Sequence, residues 1–387
     1  MGEGLAMTTS RFRTGNAGVP HLLLVAPVVL LAIGVAIFAG LAPATAARPQ
    51  PDADRCATGV DLYGFSDALD KQAYGGTDVG GLSGLTYDRT RDVYYSLVDN
   101  QGTTAARFYT LRLPVDGSGL GEPEVLDVTI LRDENGQPFT GADFDGEGIA
   151  ITPDNELLVS SETEPSIRRF ALDGTYLGAL TVPERFSDQK QDNQTFESLS
   201  LSPNGRSLFT ANEGYLTGDG ETADGSDRLR ILRYEDRGAG GFEPTEQYFY
   251  LADPGLGVVD IAALSETELL VLERGFVSGE GNTVRIYRVS LDGAEDVSDV
   301  ESLAESGLEP VEKELLVDLV DCPSDGATTP GTQVNPLLDN YESLTLGPRL
   351  PGGSRSLLLQ SDDNFGSGQV TRVVALEVDN GQLRIRG

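Results

Sequence analysis

The sequence predicts an all-β protein, a β-propeller of four-stranded antiparallel blades. Three observations predict it: five copies of one hairpin unit, further strand-like runs after each copy, and a composition rich in turn formers. The 387 residues include 47 Gly and 20 Pro and no Trp, which suits many short strands joined by turns.

The N-terminus reads as a separate targeting segment over residues 1–47. Arg11 and Arg13 form a basic region, Leu22 to Ala42 is an uninterrupted apolar run, and Ala44-Thr45-Ala46 offers an A-x-A cleavage site. The run reaches the roughly 20 residues that span a bilayer, so the segment is read as a signal peptide or an N-terminal membrane anchor. Either role places residues 48–387, a single domain, outside the cytoplasm, secreted or at the cell envelope. Cleavage also removes His21, the only histidine in the sequence, and leaves an exported domain without imidazole.

The repeated unit is an acid or Ser, alternating apolar residues, a turn, and a second apolar strand ending in acid or amide. It occurs at Ser83–Asp88 with a strand closing at Asp99-Asn100, at Glu147–Asp154 closing at Glu162, and at Glu197–Asn204 closing at Glu213. It recurs at Asp260–Leu264 closing at Glu273-Arg274, and at Glu342–Pro348 closing at Asp362-Asp363-Asn364. Two more runs follow each of the first four copies and one follows the fifth, giving four strands per unit and a count of five blades, with room for a sixth, less regular one. The missing strand of the last blade is supplied by 382–386 or by 59–69. The second choice closes the ring by pairing the two chain ends, which removes exposed edges. Cys56 precedes that closing strand and Cys322 follows the neighbouring blade. As the only two cysteines of an exported chain they are expected to form one disulfide that locks the closure. Polar insertions at 218–227, 292–309 and 322–340 are expected at the surface, where such loops often form the mouth of a site.

The acids repeat in register. Glu147, Glu197, Asp260 and Glu342 open first strands, Ser83 takes that place in the first unit, and Asp99, Glu162, Glu213, Glu273, Asp362 and Asp363 close second strands. In a propeller these ends meet around the central channel. Carboxylates so crowded repel unless protonated or neutralised. Ca2+ is the expected cofactor, since hard cations take six to eight oxygens from Asp, Glu, Asn and carbonyls. Asp143, Asp145 and Glu147 alternate in DFDGEG and would face one way in an extended chain. Zinc lacks His and Cys ligands here, and neither nucleotide nor haem is indicated.

The phrases GGLSGLTYD (80–88), ARFYTLRL (106–113), DFDGEGIAITPD (143–154), FESLSLSPNG (196–205), NYESLTLGP (340–348) and SDDNFG (361–366) resemble the bacterial phytase-like family, described as "esterase-like activity of phytase". The resemblance spans about residues 59–378. It implies a secreted propeller hydrolase acting on phosphate or other esters.

The residues restrict that chemistry. Without His there is no Ser-His-Asp triad, and Ser83 in Gly-Leu-Ser-Gly does not match G-x-S-x-G. Metal-assisted attack by water remains, with Glu147 or Glu197 as base and Arg107 and Arg274 as candidates for binding phosphate or for structural ion pairs. The expected substrate is a small-molecule ester or phosphoester, and the chain is expected to be a monomer. A formal charge of −33 argues against a nucleic-acid partner and, with few Lys and Arg near the ring, against highly charged phytate. A propeller lactonase or carboxylesterase, and a non-catalytic binding propeller stapled by Ca2+, stand as alternatives.

Overall fold

Alternating apolar residues around Pro-Asp and Pro-Asn-Gly turns become antiparallel hairpins in the computed structural model, which describes residues 54–100, 102–238 and 241–383. The expected signal segment lies outside them. Among the described residues, no helix is long and apolar enough to cross a membrane.

The chain enters through β1 (Arg55–Ala57), β2 (Val60–Ser66) and a small hairpin, β3 (Ala73–Tyr74) and β4 (Thr77–Asp78). Blade I contains β5 (Leu82–Asp88), β6 (Val93–Val98), β7 (Arg107–Arg112) and, after a hairpin of β8 (Val115–Asp116) and β9 (Gly119–Leu120), β10 (Glu124–Ile130). Blade II is β11 (Gly146–Ile151), β12 (Glu156–Ser161), β13 (Ser166–Ala171) and β14 (Tyr176–Ala179). The short helix α1 (Glu184–Asp188) leads to blade III: β15 (Ser200–Leu201), β16 (Ser207–Ala211), β17 (Arg228–Asp236) and β18 (Phe242–Leu251). Blade IV is β19 (Gly257–Ala263), β20 (Glu268–Val277), β21 (Gly281–Ser290) and, after α2 (Leu303–Ser306), β22 (Lys313–Asp318). Blade V is β23 (Tyr341–Arg349), β24 (Arg355–Ser361) and β25 (Val373–Val378), completed by β2 and β1. The propeller therefore has five blades.

The five innermost strands, β5, β11, β15, β19 and β23, touch one another in a closed circle. One apolar cluster fills each gap between neighbouring blades, for example Tyr95, Leu97, Ile149 and Leu157 between blades I and II, and Phe209, Ala211, Val258 and Leu269 between III and IV. The blades pack tightly at the centre. A Cβ on Gly84 would lie 2.3 Å from the Glu147 carbonyl oxygen, and one on Gly148 would lie 2.5 Å from the Leu199 nitrogen. Both glycines are therefore required by close backbone approach.

The ring closes as the sequence predicts, through β2 pairing with β25 from Val60↔Val378 to Ser66↔Val373. Buried Arg372 reinforces the closure by gripping both carboxylate oxygens of Asp67 at 2.6 and 2.8 Å. The Cys56–Cys322 disulfide is formed and joins blade V to the end of blade IV across 266 residues of sequence.

The insertions divide by role. The 218–227 and 292–309 loops are tied together by the buried Arg230–Asp219 pair, whose guanidinium also donates to the Val297 and Val300 carbonyls. The second loop covers the outer strand β18, with Val297 and Leu303 packed on Phe249, and protects an edge rather than forming a mouth. The 322–340 loop runs to the start of β23, at the end of the channel where the acids gather.

Candidate functional site: an acidic ring at one mouth of the channel

The innermost strands carry a bulge at the same place. The register slips between Leu82 and Gly84, Gly146 and Ile149, Val258 and Asp260, and Tyr341 and Ser343. In blade III it slips by one between the Phe196↔Asn212 bridge and Ser200↔Phe209. A bulge inserts one residue and re-aims its side chain. The residues at this place are Ser83, Glu147, Glu197, Val259 and Glu342. The partner strands end equivalently, with the N–H groups of Asp99, Glu162, Glu213 and Asp362 donating to the carbonyls of Gly81, Asp145, Thr195 and Asn340. In blade IV the equivalent residue is Arg274, opposite Gly257.

This register corrects the alignment of blade IV read from the sequence. Asp260 lies one residue past the bulge. Its carboxylate accepts from the Ile261 N–H at 2.8 Å and the Leu344 N–H at 2.6 Å, which ties β19 to β23. Glu273 lies one residue before Arg274, where pairing with β19 ends, and by the two-residue alternation of a strand faces away from it. It accepts from Tyr250 at 2.5 Å, the Asp253 N–H at 2.9 Å and Lys313 at 2.6 Å. Asp363 likewise turns away from Asp362, pairing with Lys71 and accepting from the Gly81 and Phe365 N–H groups. These three acids organise loops and strands and are not part of the ring.

The ring itself is built by Asp99, Asp145, Glu147, Glu162, Glu197, Glu213, Glu342 and Asp362. Carboxyl groups meet in three pairs: Asp99 with Asp145, Glu162 with Glu197, and Glu342 with Asp362. Oxygens of Asp99, Asp145 and Glu147 all lie within 4.8 Å of one another. Of the DFDGEG acids, Asp145 and Glu147 join this group. Asp143 is exposed and accepts from the Thr140 hydroxyl, because a turn from Thr140 to Phe144 breaks the extended alternation. Asp145 was missing from the sequence-derived ring because it precedes the strand. Its place in the alternating acid triplet was the available signal.

Burial and mutual repulsion raise the proton affinity of these acids. Burial, then contact with Asp145, pushes the Asp99 carboxyl up to about 8. Burial, then the Glu213 charge, pushes Glu162 up to about 7. Glu147, Glu197 and Asp362 rise well above the usual carboxylate range, from burial first and then from the charges of Asp99, Glu147 and Glu342 respectively. Arg274 is the counter-charge within the ring, 3.4 Å from Glu213 and 3.1 Å from Glu342.

Raised carboxyl values carry a definite sign. The folded protein holds protons that the unfolded chain has already released. Stability is therefore favoured in acid and lost as pH rises through about 7 and 8, the values for Glu162 and Asp99. The melting temperature in EGTA is expected to fall between about pH 5 and pH 9, and added Ca2+ is expected to restore most at the alkaline end. A flat profile would show that burial and mutual repulsion do not raise these acids.

The donor set fits a hard cation. It is all oxygen, and the Oε2 of buried Glu162 has no hydrogen-bond partner. Neutral oxygen-bearing groups adjoin it: Asn340 donates to Glu342 at 2.9 Å, and the Asn100 N–H donates to Asp145 at 3.2 Å. Six or more oxygens without nitrogen or sulfur suit Ca2+ rather than zinc.

The two candidate phosphate residues are committed elsewhere. Buried Arg107 donates to the Asp78 and Ala105 carbonyls, to Asn100 and to Tyr109. It is a tether for the loop carrying Asp99 rather than a free anion site. Arg274 is held inside the ring. Ser83 donates to the Gly146 and Glu147 carbonyls across the blade I–II gap, so its hydroxyl is engaged in packing.

No curated protein matches the chain significantly. Solved structures similar to it include the PQQ-bound aldose sugar dehydrogenase of Streptomyces coelicolor, at 17% identity and a TM-score of 0.35, covering 78% of this chain and 80% of that one. A glucose dehydrogenase is similar at 14% identity and a TM-score of 0.34, covering 78% and 83%. A luciferin-regenerating enzyme is similar at 14% identity and 0.34, covering 77% and 92%. At these values the likenesses assign no activity. The family model described as "Phytase-like: Esterase-like activity of phytase" matches residues 77–365, which takes in strands of all five blades and the whole acidic ring, and the chain belongs to that family.

Proposed function

We propose that the protein is an exported ester hydrolase that acts with Ca2+ at the acidic mouth of the channel. The observation that carries this reading is the convergence of eight carboxylates from four blades on one site, three pairs of them in direct contact, with Arg274 as the counter-charge among them. Asp99, Asp145 and Glu147 would hold the cation, with Glu162, Glu342 and Asp362 completing the oxygen shell. A bound hard dication neutralises the crowded charge and polarises an ester oxygen.

Glu197 is the carboxylate best placed to accept a proton from water. It stands on the neighbouring blade, outside the Asp99–Asp145–Glu147 group. Burial and the Glu147 charge raise its proton affinity, so once a bound cation offsets the neighbouring charge its ionised form would be a stronger base than an ordinary glutamate. Burial raises the proton affinity of Glu213 and Glu342, and the Arg274 charge offsets part of that rise. Export fits the disulfide, with residues 1–47 as signal peptide or anchor and residues 48–387 as the working domain, a monomer acting on a small-molecule ester.

The test is hydrolysis of p-nitrophenyl acetate, p-nitrophenyl phosphate and phytate with Ca2+ and with EGTA. Turnover of at least one ester is expected, abolished by EGTA and restored by Ca2+. Turnover indifferent to EGTA overturns the calcium mechanism. A Ca2+-dependent rise in melting temperature without turnover of any ester would instead support a binding propeller.

A further inference from the structure

We infer that the acidic mouth takes an uncharged ester with an apolar group, seated on two apolar lips made by Phe276, Val277 and Val334 on one side and Phe365 on the other. The inference rests on the hydrolytic reading of the ring and adds its substrate class.

Six large hydrophobic side chains are exposed among the described residues, and these are four of them, Phe276 at 63% and Val334 at 73% being the most open. All four leave the ring end of the propeller. Phe276 and Val277 continue β20 beyond Arg274; Phe276 shares the Arg274 face, two residues or about 7 Å of strand past the ring, and Val277 covers the other face of the same hairpin tip. Here the β20–β21 hairpin outruns its sheet. β19 stops pairing at Gly257↔Arg274, while β20 and β21 pair on to Val277↔Gly281. The hairpin is braced by the 322–340 loop, where Gln333 accepts from the Asn282 N–H at 2.8 Å. That bond holds the segment carrying Val334 against β21 at Asn282, the residue paired with Phe276.

The second lip follows Asp362 directly. Asn364 and Phe365 both adopt left-handed backbone, with φ of 47° and 52°, a strained state for a bulky residue. The strain is held by the Asp363 carboxylate, which accepts from the Phe365 N–H at 3.0 Å, and by packing of the ring over Arg107 at 5.7 Å. The outcome is a phenyl ring 39% exposed at the rim.

Charge argues the same way. Of the basic side chains at this end, Arg274 is paired with Glu213 and Glu342 and Lys71 with Asp363. Arg107 lies beneath Phe365, and Lys190 donates to the Thr163 carbonyl. Beside eight carboxylates, this is no cradle for a polyanionic phosphate. A neutral ester carbonyl meets no such repulsion, and its apolar group gains by covering the lips.

The experiment compares kcat/KM for p-nitrophenyl acetate, p-nitrophenyl octanoate, p-nitrophenyl phosphate and phytate in Ca2+, for the wild type and for Phe276→Ser/Val277→Ser. Leu177→Ser, an exposed hydrophobic on β14, is the control. Octanoate is expected to be preferred over acetate by at least about tenfold, the effect of burying two methylenes. The double substitution is expected to remove that preference through KM more than kcat, and the control to keep it. A rate independent of acyl length, a preference for phytate or p-nitrophenyl phosphate, or an undiminished preference in the double variant overturns the inference while leaving the ring reading intact. If no ester is turned over, the ring reading fails separately. Calorimetric binding of p-nitrophenyl octyl ether then decides: binding lost in the double variant supports the lips, and no binding to the wild type overturns them.

Discussion

Replacing Glu147 and Glu197 together by glutamine is expected to lower Ca2+ affinity by more than about 100-fold, since even outer partners of metal ligands cost roughly 10–100-fold. Ester hydrolysis should fall with it to background. The same change is expected to raise the melting temperature of the cation-free protein at alkaline pH. Both side chains sit among like charges, Glu147 near Asp99 and Glu162 and Glu197 near Glu147 and Glu213, and the neutral amides keep the shape while removing repulsion. Opposite signs for stability and activity are the mark of a site held against its own folding preference. If these glutamates merely capped strands, their loss would destabilise the protein, as removing a hydrogen-bonded cap usually does. Calorimetric titration with Ca2+ and thermal melts in EGTA, on both proteins, separate the two cases. Unchanged affinity and activity would remove the ring from the mechanism.

Opening the Cys56–Cys322 bond is expected to cost about 2–5 kcal/mol, toward the upper end of what disulfides contribute because the loop it closes is long. The bond spans 266 residues and joins the outermost strand of blade V to the segment after blade IV. It staples the seam at which the chain ends meet. Cys56→Ala/Cys322→Ala should lower the melting temperature by roughly 3–7 °C, and reducing agent should produce the same loss in the wild type and none in the variant. The β2–β25 pairing and the Arg372–Asp67 pair remain, so the variant should still fold. An unchanged melting temperature would show that these contacts hold the seam unaided.

Much of this was legible in the chain because a propeller repeats. Hairpin periodicity marked each inner pair of strands. An orphan strand-like run at 59–69 beside an incomplete last blade pointed to closure by the N-terminus. The two cysteines flanked that seam. The acids of blades I, II, III and V fell in their true register because each follows the same bulge. Blade IV did not, because Asp260 and Glu273 mimic the pattern one residue off. Side chains alternate across a strand, so a shift of one residue exchanges the ring face for the packed face. Val259 and Arg274 hold the places that those acids were expected to fill.

The sequence by itself determined the architecture, the closure and the disulfide, since alternation, repetition and the placing of the two cysteines beside the seam are properties of the chain alone. Only the tertiary structure decided which acids face one another, and that Arg274 belongs to the ring while Arg107 is a buried tether. Those facts depend on bulge register and on contacts between residues far apart in sequence, such as Arg274 with Glu342 or Lys71 with Asp363. No local pattern encodes them.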